Sequence, residues 1–186
     1  MLRNSSLHYG WISIILHWLS AVLIVGLFGL GLWMTELGYY DPWYKRGPDL
    51  HRSLGLLLFA LILMRWLWRQ LNPVPLPERS LKPWEVAAAE WAHRATYLLL
   101  IAIAISGYLI TTAKGDPIWL FDWFAVPALF GEVKGMEDIA GEVHLLLAWT
   151  LVVLSAVHAL AALKHHFMDG DNTLIRMLGI RSRRNQ

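Results

Sequence analysis

Four long, mostly apolar runs constrain this chain more than any other feature. Each reaches the length a helix needs to cross hydrocarbon, about 20 residues at 1.5 Å of rise per residue. The first runs from about Trp11 to Met34 and carries no charge. The second runs from about Asp49 to Leu71. Its centre, Ser53 to Met64, is uncharged, and Arg65 and Arg69 sit near its end, where long side chains can snorkel to the headgroups. The third runs from about Trp91 to Ala113 and the fourth from about Gly141 to Leu163. The pattern predicts an all-α integral membrane four-helix bundle. It forms one domain over residues 1–186, with spans near 11–34, 49–71, 91–113 and 141–163. A soluble domain of 186 residues is rarely 56% hydrophobic. The first run is too long for a signal peptide's apolar region and lacks an A-x-A site, so it is expected to remain as a span. The 11 tryptophans suit the membrane–water boundary, where an apolar ring can carry a wet N–H.

The connections read as loops. Gly38 to Pro48 holds two prolines, and Asn72 to Pro83 contains Asn-Pro-Val-Pro-Leu-Pro, which cannot continue a helix. Lys114 to Ala140 is the longest. Its Trp119, Phe121, Trp123 and Phe124 place part of it at the interface. An even number of spans puts both termini on one side. That side carries Arg3, then Arg65, Arg69, Arg79, Lys82 and Arg94, then Lys164, Arg176, Arg181, Arg183 and Arg184. The other side carries only Lys45, Arg46, Arg52, Lys114 and Lys134, outnumbered by nine acids. The excess of Lys and Arg predicts cytoplasmic termini.

The chemistry must come from histidine. There is no cysteine, which excludes iron–sulfur clusters, disulfides and c-type haem attachment. A net charge of +2 gives no support for nucleic-acid binding. Intramembrane ionisable residues are functional candidates because burying them is costly. His17 lies about two turns into the first span, His51 and His144 begin the second and fourth on the far side, and His93 begins the third on the termini side. His158 lies near the termini-side end of the fourth. His144 and His158 are 14 residues apart. At about 100° per residue this is about 40° short of four turns, so both imidazoles face one way, roughly 21 Å apart along the axis. Each needs a partner at its own depth, and His17 matches His158 as His51 matches His144. Two six-coordinate bis-histidine haems stacked across the bilayer satisfy all four. A lone intramembrane histidine often only hydrogen-bonds a neighbouring helix, and four at two matched depths make that the weaker reading. His93 shares a depth that already has two ligands. His165 and His166 lie at the interface, where they read equally as a solvated basic end beside Lys164. Gly55, one turn after His51, and Gly26, Gly29 and Gly31 permit close approach to a flat macrocycle, or simply close helix packing.

These residues resemble the prokaryotic cytochrome b561 family of four-helix di-haem membrane proteins over nearly the whole chain. The carrying motifs are Ile-Leu-His17-Trp18, Asp-Leu-His51-Arg52-Ser-Leu-Gly55, Val-His144, and Val-His158-Ala-Leu-Ala-Ala-Leu-Lys164-His165-His166. The tail Asp171-Asn-Thr-Leu-Ile-Arg176-Met177 is also very similar. The family's axial ligands fall on His17, His51, His144 and His158, implying haem b, two per chain. The family includes a superoxide oxidase that passes electrons from periplasmic superoxide to ubiquinone. It also has relatives that relay electrons between quinone and a partner redox protein. This chain departs from the superoxide oxidase in its longer loop between the third and fourth spans. The resemblance implies electron transport in the bacterial inner membrane, from superoxide or another periplasmic donor to ubiquinone. Two alternatives stand beside it, a relay subunit with a redox protein partner and a membrane protein with no redox role. With both axial positions filled, electron transfer is outer-sphere. Quinone reduction also needs protons, and His93, Lys164, His165 and His166 at the termini end could supply them. Arg65 lies nearby or only anchors its helix. Arg52, directly after a ligand, could aid the approach of superoxide.

Overall fold

The computed structural model describes residues 1–78 and 80–180. Arg79, Arg181, Arg183 and Arg184, all counted above on the termini side, lie outside the described residues. Four long helices dominate: α1 (Trp11–Thr35), α2 (Arg46–Leu71), α3 (Pro83–Thr112) and α4 (Met136–Phe167). All four are long and apolar enough to cross a membrane. They run up and down, so the start of α1, the end of α2, the start of α3 and the end of α4 share one end, here called the termini end. A short hairpin, β1 (Ile118–Leu120) and β2 (Phe124–Val126), fills the connection between α3 and α4, and a one-turn helix α5 (Thr173–Met177) follows α4.

Helices α3 and α4 outrun the expected spans for one reason. Hydropathy sees only the lipid-facing part of a helix, and both begin in charged turns. Pro83 opens α3, where its missing N–H costs nothing, and the Glu85 carboxylate accepts from the Lys82 N–H at 2.9 Å. The chain turns into α4 at Gly135, whose φ of 78° is left-handed. Glu137 and Asp138 then lie in its first turn and Lys164, His165 and His166 in its last, each sign matched to the helix dipole.

Backbones approach closely within α1/α2 and within α3/α4, and much less between the two pairs. The buried core is a cluster of Leu16, Leu27, Leu58, Leu61, Ile62, Leu100 and Leu151, drawn from all four helices. Leu151 is seven residues from both His144 and His158. An apolar layer therefore separates the two histidine levels at mid-depth.

Both ends are tied down. At the far end the hairpin is antiparallel, pairing Trp119 with Ala125. It turns through Phe121 and Asp122, both at positive φ. Ser53 of α2 pins it, its Oγ accepting from the Phe121 N–H at 3.0 Å. Trp119, Phe121, Trp123 and Phe124 are exposed. At the termini end the Arg176 guanidinium donates to the Leu76 carbonyl at 3.0 Å and pairs with Glu78 at 3.2 Å. The Trp18 indole donates to the Met177 carbonyl at 2.8 Å. The tail thereby closes over the start of α1.

Candidate functional site

Side chains of the five membrane-level histidines gather at two heights. At the far end His51 of α2 faces His144 of α4, with ring centres 6.2 Å apart. Two imidazoles that ligate one metal from opposite sides stand roughly 6 Å apart between centres, given metal–nitrogen bonds of about 2 Å. His144 is oriented for that task. Its Nδ1 lies 3.0 Å from the Ile103 carbonyl and 3.0 Å from the Ser106 hydroxyl. A carbonyl only accepts, so Nδ1 carries the proton and Nε2 keeps the lone pair a metal needs. His51 Nδ1 is buried and has no hydrogen-bond partner among the described residues.

Glycine stands behind each of these rings. A Cβ at Gly31 of α1 would meet His51 Cε1 at 3.2 Å, and one at Gly107 of α3 would meet His144 Cε1 at 3.2 Å. Of the four glycines expected to allow a macrocycle or a helix close, Gly31 backs His51, and a Cβ at Gly26, Gly29 or Gly55 would meet nothing within 4 Å. Gly107 was missed, although it is the only glycine in α3. His144 is held by two hydrogen bonds and cannot give way cheaply. Gly107→Val should therefore lower retention of a far-end haem severalfold and spare the other level, as read by pyridine haemochrome content and reduced spectra.

At the termini end His93 of α3 and His158 of α4 lie 5.4 Å apart between ring centres. His17 of α1 is within electrostatic reach of both, so this level holds three imidazoles. His17 Nδ1 is 3.0 Å from a guanidinium nitrogen of Arg65. Arg65 therefore turns inward instead of snorkelling.

The expected proton-supplying group divides between two heights. His93 stands at the imidazole level. Nearer the end of the bundle, the Lys164 ammonium bridges Glu85 at 3.0 Å and Asp169 at 2.7 Å, and His165 Nδ1 also meets Asp169 at 2.7 Å. His166 Nδ1 is buried without a partner among the described residues. The Lys164 hydrogen bond holds the Asp169 carboxyl below its usual range. Glu85, His165 and Asp169 are close enough to share a cation, and Lys164 already supplies one. At the far end Arg52 pairs with Asp49, so its charge is locally offset.

A membrane four-helix bundle with imidazoles opposed at two heights is the framework of a b-type haem protein. The chain belongs to the prokaryotic cytochrome b561 family, whose model matches residues 8–179. It is 52% identical over 176 residues to cytochrome b561 homolog 2 of Escherichia coli (strain K12), covering 95% of this chain and 94% of that protein. It is 32% identical over 171 residues to the probable superoxide oxidase CybB of Yersinia pestis, covering 91% and 95%. Cytochrome b561 homolog 1 of Escherichia coli (strain K12) is 24% identical over 173 residues. The protein is therefore a membrane-spanning, haem-binding electron-transport protein. The tautomer of His144, the unpartnered nitrogen of His51 and the two backing glycines fit the haem b that the family implies.

Proposed function

We propose that this chain holds two b-type haems and carries electrons through the bacterial inner membrane from a periplasmic donor to ubiquinone. His17 and His158 would hold one haem at the termini end, and His51 and His144 the other at the far end. The observation that carries the reading is the His51–His144 pair at 6.2 Å. It is supported by the second histidine level 14 residues along the same face of α4. Bound haem supplies one-electron, outer-sphere transfer. The protein's part is to fix the imidazoles, keep water out with the leucine layer, and supply protons where quinone is reduced. The excess of Lys and Arg supports cytoplasmic termini. The Glu85–Lys164–Asp169–His165 network then lies on the proton-supplying side.

Superoxide is the donor the reading favours. Two superoxide anions give two dioxygen molecules and two electrons, and ubiquinone takes those electrons with two protons to become ubiquinol. The support is the likeness to the probable superoxide oxidase of Yersinia pestis. Lys45 and Arg46 stand just before His51, and Arg52 just after it. With Arg52 paired to Asp49 and nine acids on that face, attraction acts only over about a Debye length, 8 Å at physiological salt. The test pulses the isolated, oxidised protein with superoxide and follows haem reduction optically. Fast reduction that slows with salt and in Arg52→Gln is the expected result. Reduction no greater than in a control treated with dismutase and catalase would sink superoxide as the donor.

A second reading, a relay subunit fed by a redox protein, is favoured by one feature. The hairpin presents Trp119, Phe121, Trp123 and Phe124 to the outside at the far end, a patch that aromatic-rich interfaces use. Co-purification of a redox protein that is lost in Trp123→Ser would favour it.

A further inference from the structure

Arg65 poses a problem of charge that the helices do not solve. It lies six residues from the end of α2, and His17 lies six residues inside the start of α1. Both are therefore about 9 Å below the termini end, at one depth. A guanidinium is always charged, and a charge at that depth is costly unless it is paired. Among the described residues no carboxylate pairs with Arg65. Glu90 serves Arg94, Glu85 and Asp169 serve Lys164, and Glu78 serves Arg176. The ionisable groups around it, besides His17, are His93, His158, Tyr97, Tyr9 and Arg69, none of which is anionic at neutral pH.

The contact with His17 does not answer the problem either. A guanidinium only donates, so Nδ1 of His17 accepts and Nε2 carries the ring proton. A neutral imidazole binds a metal through the nitrogen that lacks the proton. If His17 ligates through Nε2, its proton must move to Nδ1, where it would point at the donors of Arg65. If it ligates through Nδ1, the metal takes the place of the guanidinium. Either way, Arg65 must release His17 when iron binds, and it then needs another acceptor at the same depth. Haem b brings two propionate carboxylates.

We propose that Arg65 is the partner of a propionate of the termini-end haem. It bonds His17 before haem enters and transfers to the carboxylate as His17 takes the iron. Arg65 is thus a positioning residue that couples haem loading to the release of its own ligand. The proposal rests on the reading of His17 as an axial ligand. It also predicts a redox effect, because a cation near the haem favours the reduced form.

The test crosses a change in the protein with a change in the haem. Haem-depleted protein is reloaded with iron protoporphyrin IX or with its dimethyl ester, in wild type, Arg65→Gln and Arg65→Lys. Retention of the termini-end haem is read by transfer to an excess of apomyoglobin, and its potential by optical titration. Esterification should weaken retention about tenfold in wild type, and Arg65→Gln should weaken retention of native haem by a similar factor. In Arg65→Gln the ester should then cost little more. In the same variant the native haem should lose about tenfold in its electron-sharing equilibrium with the far-end haem, about 59 mV for one electron. Arg65→Lys should restore most of both effects.

If the ester and Arg65→Gln effects simply multiply, the pairing is overturned while the ligand assignment stands. Wild type indifferent to the ester overturns it as well, even if Arg65→Gln does not assemble. If His17→Ala keeps an unchanged low-spin spectrum at that level while His93→Ala loses it, the ligand reading fails and the proposal falls with it.

Discussion

His158→Ala should lose the termini-end haem and keep the far-end one, and His51→Ala should do the reverse. Each variant should hold about half the haem of wild type, measured by pyridine haemochrome, and its reduced spectrum should be the single band that the other variant lacks. The two levels are separable because the leucine layer through Leu151 lies between them. Losing an axial ligand at one height leaves the hydrogen bonds at the other untouched. The termini-end level adds a sharper contrast. His93 lies 5.4 Å from His158, so His158 faces two imidazoles, and His17→Ala leaves His93 as a possible replacement across from it. His158→Ala leaves His17 and His93 at that level, so loss of its haem requires that these two do not ligate one iron. Full haem content in both His158→Ala and His51→Ala would reject the assignment. A haem lost in His93→Ala and kept in His17→Ala would make His93 the ligand.

Much of this was legible in the sequence because the signals are local. A mostly apolar run of about 20 residues needs no tertiary information to be recognised, and the family resemblance was carried by short runs around the histidines. Same-face spacing of His144 and His158 follows from helix geometry alone, and it is what made two levels predictable. What stayed hidden depends on partners far along the chain. Arg65 reads as a residue that snorkels, because its sequence position is near a helix end. Only the packing of α1 against α2 turns it toward His17. Gly107 is unremarkable until α4 lays His144 against it. The hairpin gives only a weak turn signal: Asp122 tolerates positive φ, but Phe121 beside it does so rarely. Ser53, on another helix, holds that turn. The early start of α3 was hidden for a different reason: its first two turns are charged and lie outside what hydropathy can register.

The largest kinetic effect should come from Lys164. Quinone accepts protons as well as electrons, and a positioned proton donor contributes about a hundredfold or more. Lys164 joins two carboxylates and, through Asp169, reaches His165. That chain of groups lies at the exposed end of the bundle, with Lys164 six residues along α4 from His158. Lys164→Met should slow oxidation of the reduced haems by ubiquinone by roughly a hundredfold and leave both haem spectra intact. His93→Ala should also slow it, by less, because His93 stands apart from the network, at the imidazole level. The sign of the pH dependence follows from Asp169. Its carboxyl sits below the usual range because Lys164 donates to it. The Lys164–Asp169 pair is therefore present throughout the neutral range and is lost only as pH falls through that lowered value. The Lys164 effect should accordingly persist unchanged between about pH 6 and 8, well above the ordinary Asp value of about 3.9. Stopped-flow oxidation of dithionite-reduced protein by a short-chain ubiquinone gives the rates directly. Wild-type rates in Lys164→Met would remove the network from the quinone reaction, and the search for the proton source would move to His93.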